Sequence, residues 1–227
     1  GTLSRRLHLR DPKLQRVQID DDIRAWLVLL RAPGIGQAGT RALIERAGSA
    51  RAACERARRR RSETALGDEA LARIEAPDDA RIEADLAWLA QPTHHLLRFT
   101  DADFPPQLAG QPQPSAALFV AGDPALLLRP QIAVVGARAA SAQGLANARE
   151  FSRAFARAGL IVTSGMADGI DGAAHAGALD AGGATIAVIG TGPDLVYPRK
   201  HRELAARIAE HGVIVSEYPL GTPALPA

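Results

Sequence analysis

The residues best suited to chemistry sit in short glycine-bearing turns in the second half of the chain. Gly136-Ala137-Arg138-Ala139-Ala140-Ser141 follows an apolar run and precedes a helical stretch. Gly136 permits a tight turn. Ser141 has the side chain of a helix N-cap, and a helix start offers free N–H groups that suit a phosphate. Arg138 adds a permanent charge on a planar, forked donor. An ordinary strand-to-helix turn with an exposed arginine uses the same residues, so both readings stand at this point. The second turn is Ser164-Gly165-Met166-Ala167-Asp168-Gly169-Ile170-Asp171. Asp171 can accept N–H groups at the following helix start. His175 lies on the same helix face, and an Asp–His pair serves either acid–base chemistry or a local structural hydrogen bond. The third turn, Gly190-Thr191-Gly192-Pro193-Asp194, leads to Tyr197-Pro198-Arg199-Lys200-His201-Arg202. There Arg199, Lys200 and Arg202 crowd cations at a predicted helix start, against the helix dipole, at a cost of about a few tenths of a kcal/mol. A bound polyanion would offset that cost; a solvated basic helix face is the plainer alternative.

These turns need strands and helices to hold them. Ile132–Val135, Leu160–Val162, Thr185–Ile189 and Val213–Val215 are short, β-branched and almost continuously apolar, as strands buried on both faces are. Helical patterns over Ser141–Ala158, Gly169–Ala181 and Lys200–Glu210 separate them. The alternation predicts a parallel sheet with helices on both faces, and such sheets bind ligands at the carboxyl ends of their strands. The fourth strand runs into Ser216-Glu217-Tyr218-Pro219-Leu220-Gly221 near the last residue. A four-stranded sheet ending there is cut short and leaves one edge open unless something covers it.

The first half reads differently. Residues 20–91 are helical in pattern. Asp20, Asp21 and Asp22 suit a helix start, and Ile23, Trp26, Leu27 and Leu30 follow at helical spacing. Pro33-Gly34-Ile35-Gly36 breaks that helix, and the next offers Ala42, Leu43 and Ala47 for its buried face. More helical pattern runs through Ala65–Ile74 and Arg81–Leu89. The glycine turn is either a helix-hairpin-helix that grips duplex backbone through its N–H groups or a turn between packed helices. Three segments follow: a helical domain over 1–91, a Pro-rich connection over 92–130, and an α/β domain over 131–227. The apolar run Ala116–Val120 is expected to add a strand or two to the last.

Composition narrows the classes. With 47% hydrophobic residues, a packed core is expected rather than disorder. The lone Cys54 excludes an internal disulfide framework and fits a reducing compartment. No apolar run reaches the roughly 20 residues of a membrane-spanning helix. No charged-then-apolar leader opens the sequence, so a cytoplasmic location is expected. The net charge of +2 does not by itself point to nucleic acid, whereas a local basic patch can. The loop after the first strand lacks the G-x-G-x-x-G spacing of dinucleotide binding, and no Gly-Lys-Ser/Thr follows a strand as in a P-loop. His94-His95 has no Cys or carboxylate set at ligand spacing, so no metal site is expected. Arg56 and Arg58-Arg59-Arg60-Arg61 form the densest basic run, a DNA or acidic-partner contact or simply a solvated face.

Taken in order, the turns resemble the DNA-processing protein A (DprA/Smf) family. Ile132-Ala133-Val134-Val135-Gly136-Ala137-Arg138 resembles its strand and G-S-R loop. Ser164–Asp171 with His175, Thr185–Asp194 with Tyr197-Pro198, and Ser216-Glu217-Tyr218-Pro219 with Gly221 are similar to three further blocks. Pro33-Gly34-Ile35-Gly36 resembles the turn of its N-terminal sterile-alpha-motif-like (SAM-like) or helix-hairpin-helix region, and Asp103–Leu108 a linking segment. The resemblance covers roughly residues 20 to 227. It implies a SAM-like helical domain followed by a Rossmann-like parallel-sheet domain, truncated at its C-terminus. It also implies a non-catalytic, cofactor-free protein of natural transformation that binds single-stranded DNA, protects it and loads the RecA recombinase. By motif, the pocket would take in Gly136, Arg138, Ser164, Gly165, Arg199, Lys200 and Arg202.

Three departures bear on this. Ala137 replaces the family's loop serine, and His201 replaces an asparagine. The family's F-P-x-R-N-R block and the strands after it are missing, so a fragment is expected, with weakened DNA binding and loss of the family's homodimer both open. The rival is a Rossmann-like enzyme that hydrolyses the N-glycosidic bond of nucleoside monophosphates. Its Gly-Gly-x-Gly-Thr-x-x-Glu loop is absent; Gly182-Gly183-Ala184-Thr185 lacks the Glu. A protein-interaction module centred on the helical half is the second rival.

Overall fold

Helical spacing of Trp26, Leu27 and Leu30 places them on a long first helix, α1 (Pro12–Arg31), in a computed structural model that describes residues 12–59 and 66–224, with side chains from residue 21. The helix starts at Pro12, so Asp20, Asp21 and Asp22 lie inside it and do not cap it. Acidic residues inside a helix mimic a start signal. The turn after α1 leads to α2 (Gly36–Ala47), α3 (Ala50–Arg59), α4 (Asp68–Glu75) and α5 (Asp79–Leu89). Gly34 and Gly36 hold φ of 73° and 65°, which only glycine adopts at ease. The buried face of α2 carries Thr40 and Ile44; Ala42 is exposed, and Leu43 and Ala47 are half-buried, one step around from the expected stripe. The core of this unit is Trp26, Leu27, Leu29, Ile44, Cys54, Leu71, Ile74 and Ile82. Burial pushes the Cys54 thiol up to about 11, so it stays protonated. Of the basic run, Arg58 donates to the Ile74 carbonyl, while Arg60 and Arg61, like Ala65, lie outside the described residues.

The chain divides into two compact units, Gly1–Leu86 and Ala87–Ala227. The second is built on one sheet. Its strands are β1 (His94–Arg98), β2 (Ala117–Gly122), β3 (Gln131–Ala133), β4 (Ile161–Ser164), β5 (Thr185–Ile189) and β6 (Val213–Ser216), in the order β1-β2-β6-β5-β4-β3. Strands β3 to β6 are parallel, joined through α6 (Ala142–Arg157), α7 (Ile170–Asp180) and α8 (Arg202–His211). The edge of β6, open in a four-stranded sheet, is closed by β2, which pairs antiparallel with it, and β1 extends the sheet further. Segment 92–130 therefore supplies two strands, and the unit boundary precedes residue 91.

The helices do not cover both faces. The strand order advances in one direction, so right-handed crossovers put α6, α7 and α8 on one side. On that side Val162 packs with Ala174, Ala178 and Phe155. On the other, Leu118, Val120, Ile186, Val213 and Val215 pack under Phe104, Leu126 and Leu127 from the irregular segment between β1 and β3. Strand β3, expected to be buried on both faces, is an exposed edge, and Val135 just beyond it is 75% exposed.

Candidate functional site

The order β5-β4-β3 brings the carboxyl ends of three parallel strands side by side. Their turns are the three that the sequence singles out, and the turn after β4 lies at the centre. Two features build it. The Ser164 hydroxyl, only 3% exposed, donates to the Val134 carbonyl at 2.6 Å. One oxygen of the Asp171 carboxylate accepts the N–H groups of Gly165 and Ala167, at 3.2 and 3.3 Å. A methyl group on Gly165 would lie 2.9 Å from that oxygen.

Asp171 and His175 do not bond each other. The His175 Nδ1 lies 2.8 Å from the Thr185 hydroxyl, which donates its own proton to the Val162 carbonyl at 2.6 Å. Nδ1 is therefore assigned the proton and donates. His175 is fully buried, and burial foremost, then the nearby His201, pushes it down to about 4. It is a neutral core histidine with no access to a substrate, and the acid–base reading of the pair falls.

The turn after β3 rests on the central turn. The Ile170 N–H donates to the Ala137 carbonyl at 3.2 Å. Gly169 has φ of 76°, and a methyl group there would sit 2.2 Å from the Ala137 oxygen and 2.5 Å from that of Arg138. Only glycine lets the two backbones meet so closely. Gly136 is held equally tightly: a methyl group would sit 2.6 Å from the Ile170 side chain. Ser141 caps α6 as its type suggests, accepting from the Gly144 N–H at 3.1 Å. Arg138 is exposed and has no ion-pair partner among the described residues.

The turn after β5 reaches the central turn from the other side. A cis Tyr197–Pro198 bond leads into a single 3-10 turn, Arg199–His201, and then α8. The cations do fall at a helix start. Lys200 Nζ lies 2.8 Å from Asp168 Oδ1. His201, with 14% of its side chain exposed, places Nδ1 3.0 Å from the Met166 carbonyl and Nε2 3.5 Å from Asp168 Oδ1. Its ring covers Gly172, where a methyl group would lie 2.9 Å from Cε1. Arg199 and Arg202 are exposed, with no partner among the described residues. Beyond, the Asp194 carboxylate accepts the Gly221 N–H at 2.9 Å and the Ser216 hydroxyl donates to the Thr191 carbonyl at 2.6 Å, which ties the turns after β5 and β6 together.

Six of the seven expected site residues, Gly136, Arg138, Gly165, Arg199, Lys200 and Arg202, are therefore exposed on turns fastened to one another. The seventh, Ser164, is buried with its only proton committed. Sequence reasoning missed Asp168 and Met166 as the partners of Lys200 and His201. Those contacts span 32 and 35 residues, and no local spacing announces them. The arrangement offers three unpaired guanidinium groups, one shared ammonium and exposed glycine backbone, which together suit a polyanion. Among the described residues no cluster of His, Cys, Asp and Glu could hold a metal ion, and no helix is long and apolar enough to cross a membrane.

Comparison with known proteins agrees on where the chain fits. Residues 95–227 match the family model described as DNA recombination-mediator protein A, and residues 20–87 match that of the DprA-like N-terminal HHH domain. Protein Smf of Escherichia coli is 46% identical over 145 residues, which are 63% of this chain and 39% of that protein. DNA processing protein DprA of Streptococcus pneumoniae is 44% identical over 104 residues, 46% of this chain and 36% of that one. The chain thus spans about two fifths of the length of these relatives. The X-ray structure of the S. pneumoniae protein superposes with a TM-score of 0.72 at 29% identity, covering 89% of this chain and 70% of that chain. A Helicobacter pylori DNA processing protein A, whose structure was described for its single-stranded DNA binding mode, gives 0.53 at 26% identity over 58% of this chain and 59% of that one.

Proposed function

Since the chain belongs to the DNA recombination-mediator protein A family, we propose that the turns after β3, β4 and β5 bind single-stranded DNA through its phosphate backbone. The observation that carries this reading is the set of unpaired cations. Arg138 stands on one side of the central turn and Arg199 and Arg202 on the other, with no carboxylate partner among the described residues. A phosphate chain laid across these turns meets forked donors at both ends and the exposed glycines Gly136 and Gly165 between them. Lys200 adds a point charge shared with Asp168. Ser164 shapes the site by tying the end of β4 to Val134 and does not itself donate to DNA.

In this reading the protein acts in natural transformation. It binds and protects incoming single strands and hands them to the RecA recombinase in the cytoplasm, without a cofactor and without catalysing a reaction. A homodimer belongs to the same proposal as an expectation for the full-length family. The S. pneumoniae and H. pylori relatives support the reading by fold, and the latter by the single-stranded DNA binding mode for which its structure was described. The N-glycosidase alternative gains no observation: the Asp171 carboxylate at the start of α7 accepts the N–H groups of Gly165 and Ala167, and His175 is a buried neutral ring.

Fluorescence anisotropy of labelled oligo-dT against matched duplex, across a salt series, tests the proposal. Single-strand binding should fall with a log–log slope of about −0.7 for each phosphate contacted. Equal or tighter duplex binding, or none at low salt, would contradict it.

A further inference from the structure

Asp168 and His201 do more than neighbour the cations. His201 is wedged between two elements: its Nδ1 faces the Met166 carbonyl at 3.0 Å, its ring lies on Gly172, and its Nε2 faces Asp168 Oδ1 at 3.5 Å. Met166 itself holds a φ of 58°, rare for a residue with a side chain, so its carbonyl is aimed by a backbone that needs support. His201 lies between Lys200 and Arg202 in sequence, so whatever fixes its ring fixes the backbone that carries Arg199, Lys200 and Arg202.

We propose that His201 is a positioning residue of the DNA site, a clasp that holds the basic turn 199–202 against the turn after β4. This rests on the DNA-binding reading above. The chemistry is set by the carbonyl. A carbonyl only accepts, so Nδ1 carries the proton and donates to Met166. The other ring nitrogen, Nε2, faces the Asp168 carboxylate, which Lys200 also reaches at 2.8 Å. One ring thus meets the central turn at two points and fixes the turn that carries Arg199, Lys200 and Arg202.

The test measures oligo-dT affinity at constant ionic strength for the wild type, His201→Ala, His201→Asn and Arg138→Ala. Amide hydrogen exchange of residues 166–169 and 199–202 is followed in parallel. His201→Ala should weaken binding roughly tenfold, as loss of one hydrogen bond allows. It should also speed exchange in both segments. His201→Asn keeps a donor for the Met166 carbonyl, so it should restore most of the affinity and slow exchange again. Its fold is expected to survive even where the alanine variant is unstable. Arg138→Ala should lose affinity with exchange of both segments unchanged. Unchanged affinity and exchange in His201→Ala, with Arg138→Ala impaired, would overturn the clasp and leave the DNA reading intact. No wild-type binding would overturn the DNA reading and the role of His201 with it.

Discussion

The carboxylate-paired arginines of the helical unit and the unpaired ones at the strand ends have the same charge and opposite circumstances. In the helical unit Arg24 reaches Asp79 and Glu83 on α5, Arg31 grips the fully buried Asp85 with two donors, and Arg41 pairs with Glu45 one turn on. These guanidinium groups are committed within the unit. At the strand ends Arg138, Arg199 and Arg202 have no such commitment among the described residues, though the segments after β4 and β5 carry Asp168, Asp171 and Asp194. Asp171 and Asp194 instead accept backbone N–H groups and shape the turns. The lesson is that a net charge of +2 says little about partners. Which cations lack an internal carboxylate says much more.

The contrast is sharpest in what removal should cost. Arg31→Ala strips the partner from a buried carboxylate and should destabilise the helical unit by about 3–5 kcal/mol, read as a drop in urea midpoint. The same change at Arg138, Arg199 or Arg202 should leave stability within about 0.5 kcal/mol. A stability loss at the strand ends as large as that of Arg31→Ala would break the comparison.

Burial of His175 adds a second large effect. Its folded value, about 4, lies below the ordinary histidine value of 6.5, so the unfolded chain binds the extra proton first. The stability attached to the neutral ring is complete above about 6.5 and is lost as pH falls toward about 4, on the order of 3 kcal/mol in all. Denaturant unfolding at pH 7 and pH 4 measures it, and His175→Gln should flatten that part of the profile. Arg138→Ala comes next, weakening oligo-dT binding by roughly 1–3 kcal/mol if it makes a charge-assisted phosphate contact. Lys200→Ala should cost less than about 1 kcal/mol of binding, because its ammonium already lies 2.8 Å from Asp168. A Lys200 effect larger than that of Arg138 would invert the proposed ranking.

Much of the sheet unit was legible. Strand Thr185–Ile189 appears residue for residue, and α6 and α7 lie within a residue of the expected stretches at each end, because buried parallel strands and the helices between them leave strong local patterns. The antiparallel half was harder to read. The apolar run Ala116–Val120 does mark β2, but β1 contains His94, His95 and Arg98, and the pairing of β2 with β6 almost a hundred residues later leaves no local spacing. Helix α3 was missed because its buried face is Ala50, Ala53, Cys54 and Ala57, small residues lost beneath a run of arginines. At the site, the turns and cations could be read as local features. The contacts of His201 and Lys200 with the central turn could not, since folding alone brings them together.

The central claim is that the unpaired arginines at the strand ends read a phosphate backbone while the carboxylate-paired arginines of the helical unit do not. The most direct measurement is the salt dependence of oligo-dT binding for the wild type, Arg138→Ala, Arg199→Ala and Arg202→Ala, with Arg24→Ala as the control. Each strand-end variant should make the log–log slope shallower by about 0.7, and the control should leave it unchanged. Equal slopes in all five proteins, or a change in the control alone, would contradict the account.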